Sequence, residues 1–403
     1  MTADVERLVI GGGIGGLSTA LALARHGLSV HVLEQAPEFS EIGAGVQLAP
    51  NALRVLNELG VLTPVLRDAV FPARAMMRDA ITGERLAELD FGDDFRAAYG
   101  FAYCVTHRSD LLDALLSACR ADHAITLEPG KAVTALDQRE DAVTVRCADG
   151  SAYRARAVVG ADGIWSVARK HVLGDGDPTF VGDVAYRGTA PINATNFADG
   201  DNLTWWVGPG IHLIHYPVRG GKMLNQVAVF VARQDGDPSS WGPPEELDRA
   251  FAGTTKEVAD GMQLLTRERR WVLRDRPPSA TWTRGRVTLL GDAAHPMAQY
   301  LAQGACQALE DALVLSRCLA EHSDDIAKAF DAYEAERLPR TGRVQTWARR
   351  MGEIVHGAGV TAILRDELLR RCRPTDLPQL DWLYSHRPVL ERTHLTQETR
   401  RCD

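Results

Sequence analysis

The 403 residues are 45% hydrophobic and 24% charged, a globular balance in a chain long enough for one large or two interlocked domains. Lys and Arg number 45 against 53 Asp and Glu, a net charge of −8, which argues against a nucleic-acid or anionic-membrane binder. No apolar run approaches the ~20 residues of a spanning helix, and no basic segment precedes the first apolar stretch. The seven cysteines are scattered without a CxxC, so neither a disulfide framework nor a metal site is expected, and the setting reads as cytoplasmic.

The chain begins with an apolar strand, Val5 to Ile10, followed by Gly11-Gly12-Gly13-Ile14-Gly15-Gly16, a helical run to Gly27, a second strand and Glu34. Strand, glycine turn, helix, strand and acid in this register form a dinucleotide-binding βαβ unit. Gly11 permits the tight turn, Gly13 lets the backbone approach a pyrophosphate, and Gly16 lets the helix sit close on the strand. Free N–H groups and the positive helix end then face the phosphates. Glu34 stands where a carboxylate accepts from ribose hydroxyls. The unit alone does not separate FAD from NAD. A second glycine-rich turn, Glu41 to Gln47, has no obvious place in a simple dehydrogenase and favours FAD.

Further along, Pro50 to Leu59 has helical spacing, with Gly60 as its terminator. Ala75 to Leu89 reads as two strands around Thr82-Gly83, and Ser109 as the cap of a helix beginning near Leu111. Val133 to Gly160 reads as a β-meander with an Asp149-Gly150 turn. It ends in Asp162-Gly163, at a strand's carboxyl end where open α/β sheets bind ligands; an ordinary helix cap is the alternative. Four strand-like runs between 184 and 232 suggest an inserted antiparallel sheet, and 244–270 reads as helical. Arg286 to Leu290 then delivers Gly291-Asp292, a loop, and an amphipathic helix from about Gly304 to Leu319. Asp331 to Glu353 reads as helical but interrupted by Pro339. The last 40 or so residues give no clear pattern.

The glycine turn, Asp162-Gly163 and Gly291-Asp292 together resemble the FAD-dependent aromatic hydroxylases, single-component flavoprotein monooxygenases, over about residues 5–345. The fold implied is α/β, a Rossmann-like FAD-binding domain (1–74, 101–180 and 276–345) with an inserted antiparallel β-sheet substrate domain (75–100 and 181–275) and C-terminal helices (346–403). By this resemblance Arg108 reaches the FAD phosphate and ribityl region and Asp292 holds the ribityl chain. The backbone at Gly304 and Ala305 faces the pyrimidine side of the flavin ring. Within the family the chain most resembles the 3-hydroxybenzoate 6-hydroxylase branch, through Thr106 to Leu111, Arg219 to Phe230 and Pro296 to Ala302. Many relatives carry Pro-Pro where this chain has Ala298-Gln299, Gly at Leu301 and Asn at Cys306. These departures argue against a 4-hydroxybenzoate hydroxylase. Salicylate hydroxylases remain near competitors.

The resemblance implies that NADH or NADPH reduces FAD, that O2 adds to it, and that the resulting C4a-hydroperoxyflavin hydroxylates a phenolic acid. The expected product of 3-hydroxybenzoate is gentisate. A neutral histidine can take the phenol proton near physiological pH. Strand alternation puts His212, Ile214 and Tyr216 on one face, and Ile211, Leu213 and His215 on the other. The family comparison turns His212 and Tyr216 to the ligand. The alternative for His212 is a ring satisfied by a carbonyl within the sheet. Gln299 offers donor and acceptor opposite His212. Tyr103 either lines the same cavity or packs as a strand residue. His295 and His107 read as structural, and Trp205-Trp206 as core and sheet surface. Rivals are a decarboxylating salicylate 1-hydroxylase, a flavin carrier without oxygen chemistry, and a plain NAD dehydrogenase. A homodimer stays open.

Overall fold

The computed structural model describes residues 2–40, 44–194, 202–232, 245–388 and 390. Thr2–Ile10 lies parallel between Val30–Leu33 and Ala152–Gly160. The sheet runs Thr283–Arg284, Val287–Leu289, Ala152–Gly160, Thr2–Ile10, Val30–Leu33, Ile125–Glu128, and the hairpin Val133–Gln138/Val143–Cys147 joins it antiparallel at Ala152–Gly160. Its central strands are continuously apolar: Leu8, Val9, Ile10, Val32, Leu33, Val158 and Val159 are all buried, as strands covered on both faces require. The helix Ile14–Arg25 packs against Gly304–Glu321. Gly11 sits at φ +107°, and a Cβ there would lie 2.3 Å from the Ala161 carbonyl oxygen. A Cβ at Gly16 would lie 1.9 Å from the Gly11 carbonyl oxygen. Turn and helix therefore close on the neighbouring backbone only because both residues are glycine.

The second sheet runs Trp271–Asp275, Thr179–Pro191, Met223–Val231, Ile211–Val218, Leu203–Gly208, Arg74–Asp79, Arg85–Asp90. All pairs are antiparallel except Leu203–Gly208 with Arg74–Asp79, which is parallel. The expected antiparallel insert thus carries one parallel pair: the two strands come from remote segments, so no hairpin turn imposes their direction. One face of this sheet is a separate apolar layer built on Tyr186, Trp206, Leu213 and Phe230 under the helices Glu245–Ala250 and Lys256–Gln263. The other face turns toward the first sheet.

Several local readings stand. Pro50–Glu58 is helical, with Gly60 at φ +72° behind it. The strands Arg74–Asp79 and Arg85–Asp90 flank a turn at Gly83. Of the second glycine-rich turn, Gly45–Leu48 is a strand paired with Cys104–His107; Glu41 to Gly43 lie outside the described residues. Ser109 is not a cap: the helix Arg108–Ala121 starts directly after its strand, with His107 at the N-cap position and Ser109 Oγ 2.7 Å from the His107 ring. Pro339 does not interrupt its helix either, because Ile326–Val355 is continuous through it. Arg337 and Arg340 on either side are clamped to Glu310, so packing holds the turn that lacks an N–H. The unplaced C-terminal stretch contains the helix Val360–Leu369 and a short helix, Asp381–Tyr384.

Candidate active site

A cavity of about 640 Å³ opens between the two sheets. At its nucleotide end the helix Ile14–Arg25 presents an uncapped N-terminus, with Gly13 at the cap position and no side chain bonded there. Gly13 borders the cavity, and a Cβ on it would meet no atom within 4 Å. The space beside it is left for a ligand, whereas Gly11 and Gly16 are needed by the protein itself. Glu34 directly follows the second strand, and its carboxylate accepts from Gly12 N–H and Ala36 N–H, each at 2.8 Å. A carboxylate has about four acceptor sites, so it retains capacity for hydroxyls. Arg108 and Asp292 line the wall further in.

Asp162 departs from its predicted part. Its Oδ1 accepts from Ser166 Oγ at 2.5 Å and its Oδ2 from the N–H groups of Val167 and Ala168 at 2.7 and 3.1 Å. The carboxylate thus caps the helix Val167–Val172, while Ala161 and Gly163 border the cavity in its place. Of the two readings offered for Asp162, the helix cap is the one these hydrogen bonds display.

A second uncapped helix end faces the same space. Gly304 and Ala305 begin Gly304–Glu321, and the N-cap residue Gln303 makes no side-chain cap. Gln303 is itself 1% exposed. Its carbonyl oxygen accepts from Asn51 and Gln307, while its buried amide nitrogen has no partner among the described residues. Further along the same helix Glu310 and Asp311 are fully buried against Arg337, at 2.5 and 2.7 Å. Arg340 adds to Glu310, and His295 contacts Asp311 at 2.6 Å, the structural part read for His295. Burial alone would raise both carboxyls, but the cations hold them below their usual range. The loop Gly291 to Gln303 and the helix end are thereby fixed as one unit.

The far end is lined by the second sheet. His212, Ile214 and Tyr216 face the cavity together, while Trp206 Nε1 donates to His215 on the opposite face. His212 Nδ1 is 2.8 Å from His356 Nε2, so Nε2 is the nitrogen left to a ligand. Burial, reinforced by His356, pushes His212 well below its ordinary value and keeps it neutral. Tyr103 lines the wall, stacks on Phe91 at 4.5 Å between centroids, and donates to Gln47 Oε1 at 2.7 Å. Gln299 also lines it, but its carbonyl oxygen accepts from Arg187 at 2.7 Å. Its amide N–H groups and the oxygen's second lone pair are what it can offer a ligand.

The sequence reading missed several wall residues. Arg187 borders the cavity with a buried Nε that has no hydrogen-bond partner among the described residues. Burial first, then Arg108, lowers its guanidinium to about 10, so it stays cationic near neutrality. Trp205 contributes another buried N–H with no hydrogen-bond partner among the described residues, where core or sheet surface was expected. Met351, Leu383 and Tyr384 close the cavity from the C-terminal segment. The Tyr186-Arg187-Gly188 run on an apolar strand was the one readable signal for Arg187. Nothing in the sequence marked the others.

Two uncapped helix ends, a glycine cradle and an unpartnered amide around one cavity fit a dinucleotide joined to a flat, hydrogen-bonding ring. The family described as an FAD binding domain matches residues 4–348. The chain belongs to this FAD-binding family. It is 40% identical over 392 residues to the 3-hydroxybenzoate 6-hydroxylase of Polaromonas naphthalenivorans, covering 95% of this chain and 96% of that one. The enzyme of the same name from Klebsiella oxytoca is also 40% identical, with 95% and 97% covered. Among solved structures, HpxO of Klebsiella pneumoniae complexed with FAD, in a variant form, superposes with a TM-score of 0.83 at 29% identity, covering 94% and 98%. The protein is an FAD-dependent aromatic monooxygenase, with NADH or NADPH and O2 as co-substrates. No helix among the described residues is long and apolar enough to cross a membrane.

Proposed function

We propose that this hydroxylase converts 3-hydroxybenzoate to gentisate, placing the new hydroxyl para to the existing one. The observation that carries the reading is the pairing of a neutral, enclosed histidine with a cation in one aromatic-walled cavity. His212 suits a phenol and Arg187 suits a carboxylate. The names of the relatives agree with this pairing.

The phenol of the substrate has a pKa of about 10, judged by tyrosine. His212 Nε2 accepts its proton, and the resulting phenolate drives electron density to the para carbon. Arg187 and the Gln299 amide receive the carboxylate through charge-assisted hydrogen bonds. Phe91, Leu203, Ile214 and Val227 keep water from the ring. The uncapped N-terminus at Gly304 and Ala305 would stabilise negative charge on a reduced flavin held in the cavity. Glu34, Arg108, Asp292 and the turn at Gly11, Gly13 and Gly16 hold its nucleotide and ribityl portions. When bound and reduced by the nicotinamide nucleotide, FAD activates O2 and supplies the oxygen atom.

The test is a panel of hydroxybenzoates with product identification under ¹⁸O2. Labelled gentisate from 3-hydroxybenzoate is expected. Catechol and CO2 from salicylate, with 3-hydroxybenzoate left untouched, would replace this reading by the salicylate 1-hydroxylase one. His212→Ala is expected to keep its flavin and lose ~10²–10⁴-fold in hydroxylation.

A further inference from the structure

A base enclosed as fully as His212 can turn over only if the proton it takes has a way out. His212 is 2% exposed and its ring is boxed by Trp205 and Tyr300, at 5.7 and 5.4 Å between centroids. The only polar side chain bonded to it among the described residues is His356. His356 closes the C-terminal end of the helix Ile326–Val355. Its carbonyl accepts from Gly210 N–H at 3.0 Å, in the turn that leads into the His212 strand, so the two rings are fixed from both sides. Beyond it, His356 Nδ1 lies 3.7 Å from Asp183 Oδ1, and Asp183 Oδ2 accepts from Tyr300 Oη at 2.5 Å. The side chains of His356 and Asp183 remain 8% and 12% exposed, so the series leads outward.

We infer that His356 and Asp183 form a proton relay that carries the substrate's phenolic proton from His212 to the protein surface. The tautomers require this order. For Nε2 of His212 to accept, its proton must sit on Nδ1 and point at His356 Nε2. His356 must then carry its own proton on Nδ1, on the side of the Asp183 carboxylate 3.7 Å away, whose charge favours that tautomer. When the phenol O–H breaks, His212 Nε2 gains the proton and Nδ1 gives one to His356 Nε2. His356 Nδ1 passes one to Asp183, closing the 3.7 Å gap directly or through a water, and Asp183 releases it to solvent. One proton leaves the substrate and one enters solvent; no electrons move. The apolar packing of Val207, Tyr300, Val355 and Met351 keeps other acceptors away.

The groups around the relay keep it from storing a proton. Burial and then Arg365 lower His356 to about 4, so it does not trap the proton. Burial raises Asp183 while the Tyr300 hydroxyl opposes that rise. Arg365 is itself tied to Val355 O and to Asp366. His356 and Asp183 touch no reacting atom, so they are positioning and relay residues, and the inference rests on His212 being the base.

The experiment mixes oxidised holoenzyme with 3-hydroxybenzoate in weak buffer containing a pH indicator and follows proton release by stopped flow. His356→Gln and Asp183→Asn are each expected to keep flavin content and substrate Kd within about threefold of the unaltered enzyme. Each is expected to slow release at least tenfold, with a larger solvent deuterium isotope effect. His212→Gln should abolish release. Release at the original rate in both relay variants overturns the relay while leaving His212 as the base. So does a slowing matched by an equal loss of substrate affinity, the mark of a merely structural part. An original rate in His212→Gln defeats the base assignment itself. If either relay variant fails to fold, the other decides, and an enzyme that releases no proton on binding substrate refutes both ideas.

Discussion

Replacing Arg187 by Met removes a charge while keeping most of the side chain's length and its contact with the Trp271 ring, 5.3 Å from the guanidinium carbon. The guanidinium sits about 10 on the pKa scale, so near pH 7.5 it is cationic and the substrate carboxylate is anionic. A hydrogen bond to a charged group contributes about 1.5–3 kcal/mol, which at 1.36 kcal/mol per decade is ~10- to ~150-fold in kcat/KM. Arg187 is only partly enclosed, so solvent screening places the expectation in the lower part, ~10- to ~50-fold. The assay compares 3-hydroxybenzoate with 3-hydroxybenzamide in the original enzyme and in Arg187→Met. Gln299 loses its partner with either substrate, so that loss cancels in the ratio. The acid should suffer the full decrease and the amide less than about threefold. Equal losses for acid and amide would show that the carboxylate lies elsewhere.

Gly13→Val should fold and melt like the original apoprotein yet lose flavin, because its side chain enters space no protein atom fills; retained flavin absorbance would remove Gly13 from the cradle. Gly16→Val should instead fail to fold, since its Cβ meets backbone at 1.9 Å, and a normal melt would contradict that. Arg337→Met leaves Asp311 with His295 and Glu310 with Arg340. Because each carboxylate keeps one partner, the cost in denaturant titration should fall at or below the lower end of the about 3–5 kcal/mol of an uncompensated buried charge, with weaker flavin retention; an unmoved midpoint would mean the network is dispensable. His215 and His356, lowered by burial to about 3 and about 4, stay neutral when folded but protonate below about 6.5 when unfolded. Stability they lend above that pH should therefore decline as pH falls from about 6.5, by about 1.4 kcal/mol per unit for each histidine. Unfolding free energies that are flat between pH 7 and pH 5 would refute this.

Local chemistry was readable wherever a residue's reason lies within a few neighbours. The glycine turn, the helix stop at Gly60 and the period-two face of His212, Ile214 and Tyr216 belong to that class. Reading failed where a distant partner decided the outcome. Ser109 looked like a cap until the preceding strand ran straight into the helix. Pro339 looked like a break until Glu310, from a neighbouring helix, anchored the arginines around it. At Asp162 the sequence left ligand and cap both open, and the carboxylate accepts from the first turn of its own helix.

By itself the sequence determined the nucleotide fold, the family and one wall of the cavity, because glycine spacing and strand alternation are short-range consequences of backbone geometry. Only the tertiary structure decided what faces that wall. Arg187 comes from one strand, His356 from the end of a helix more than a hundred residues later, and Tyr384 from a segment with no pattern of its own. Their meeting is a product of packing two sheets and a C-terminal layer around one space, and no local periodicity encodes a contact made across it.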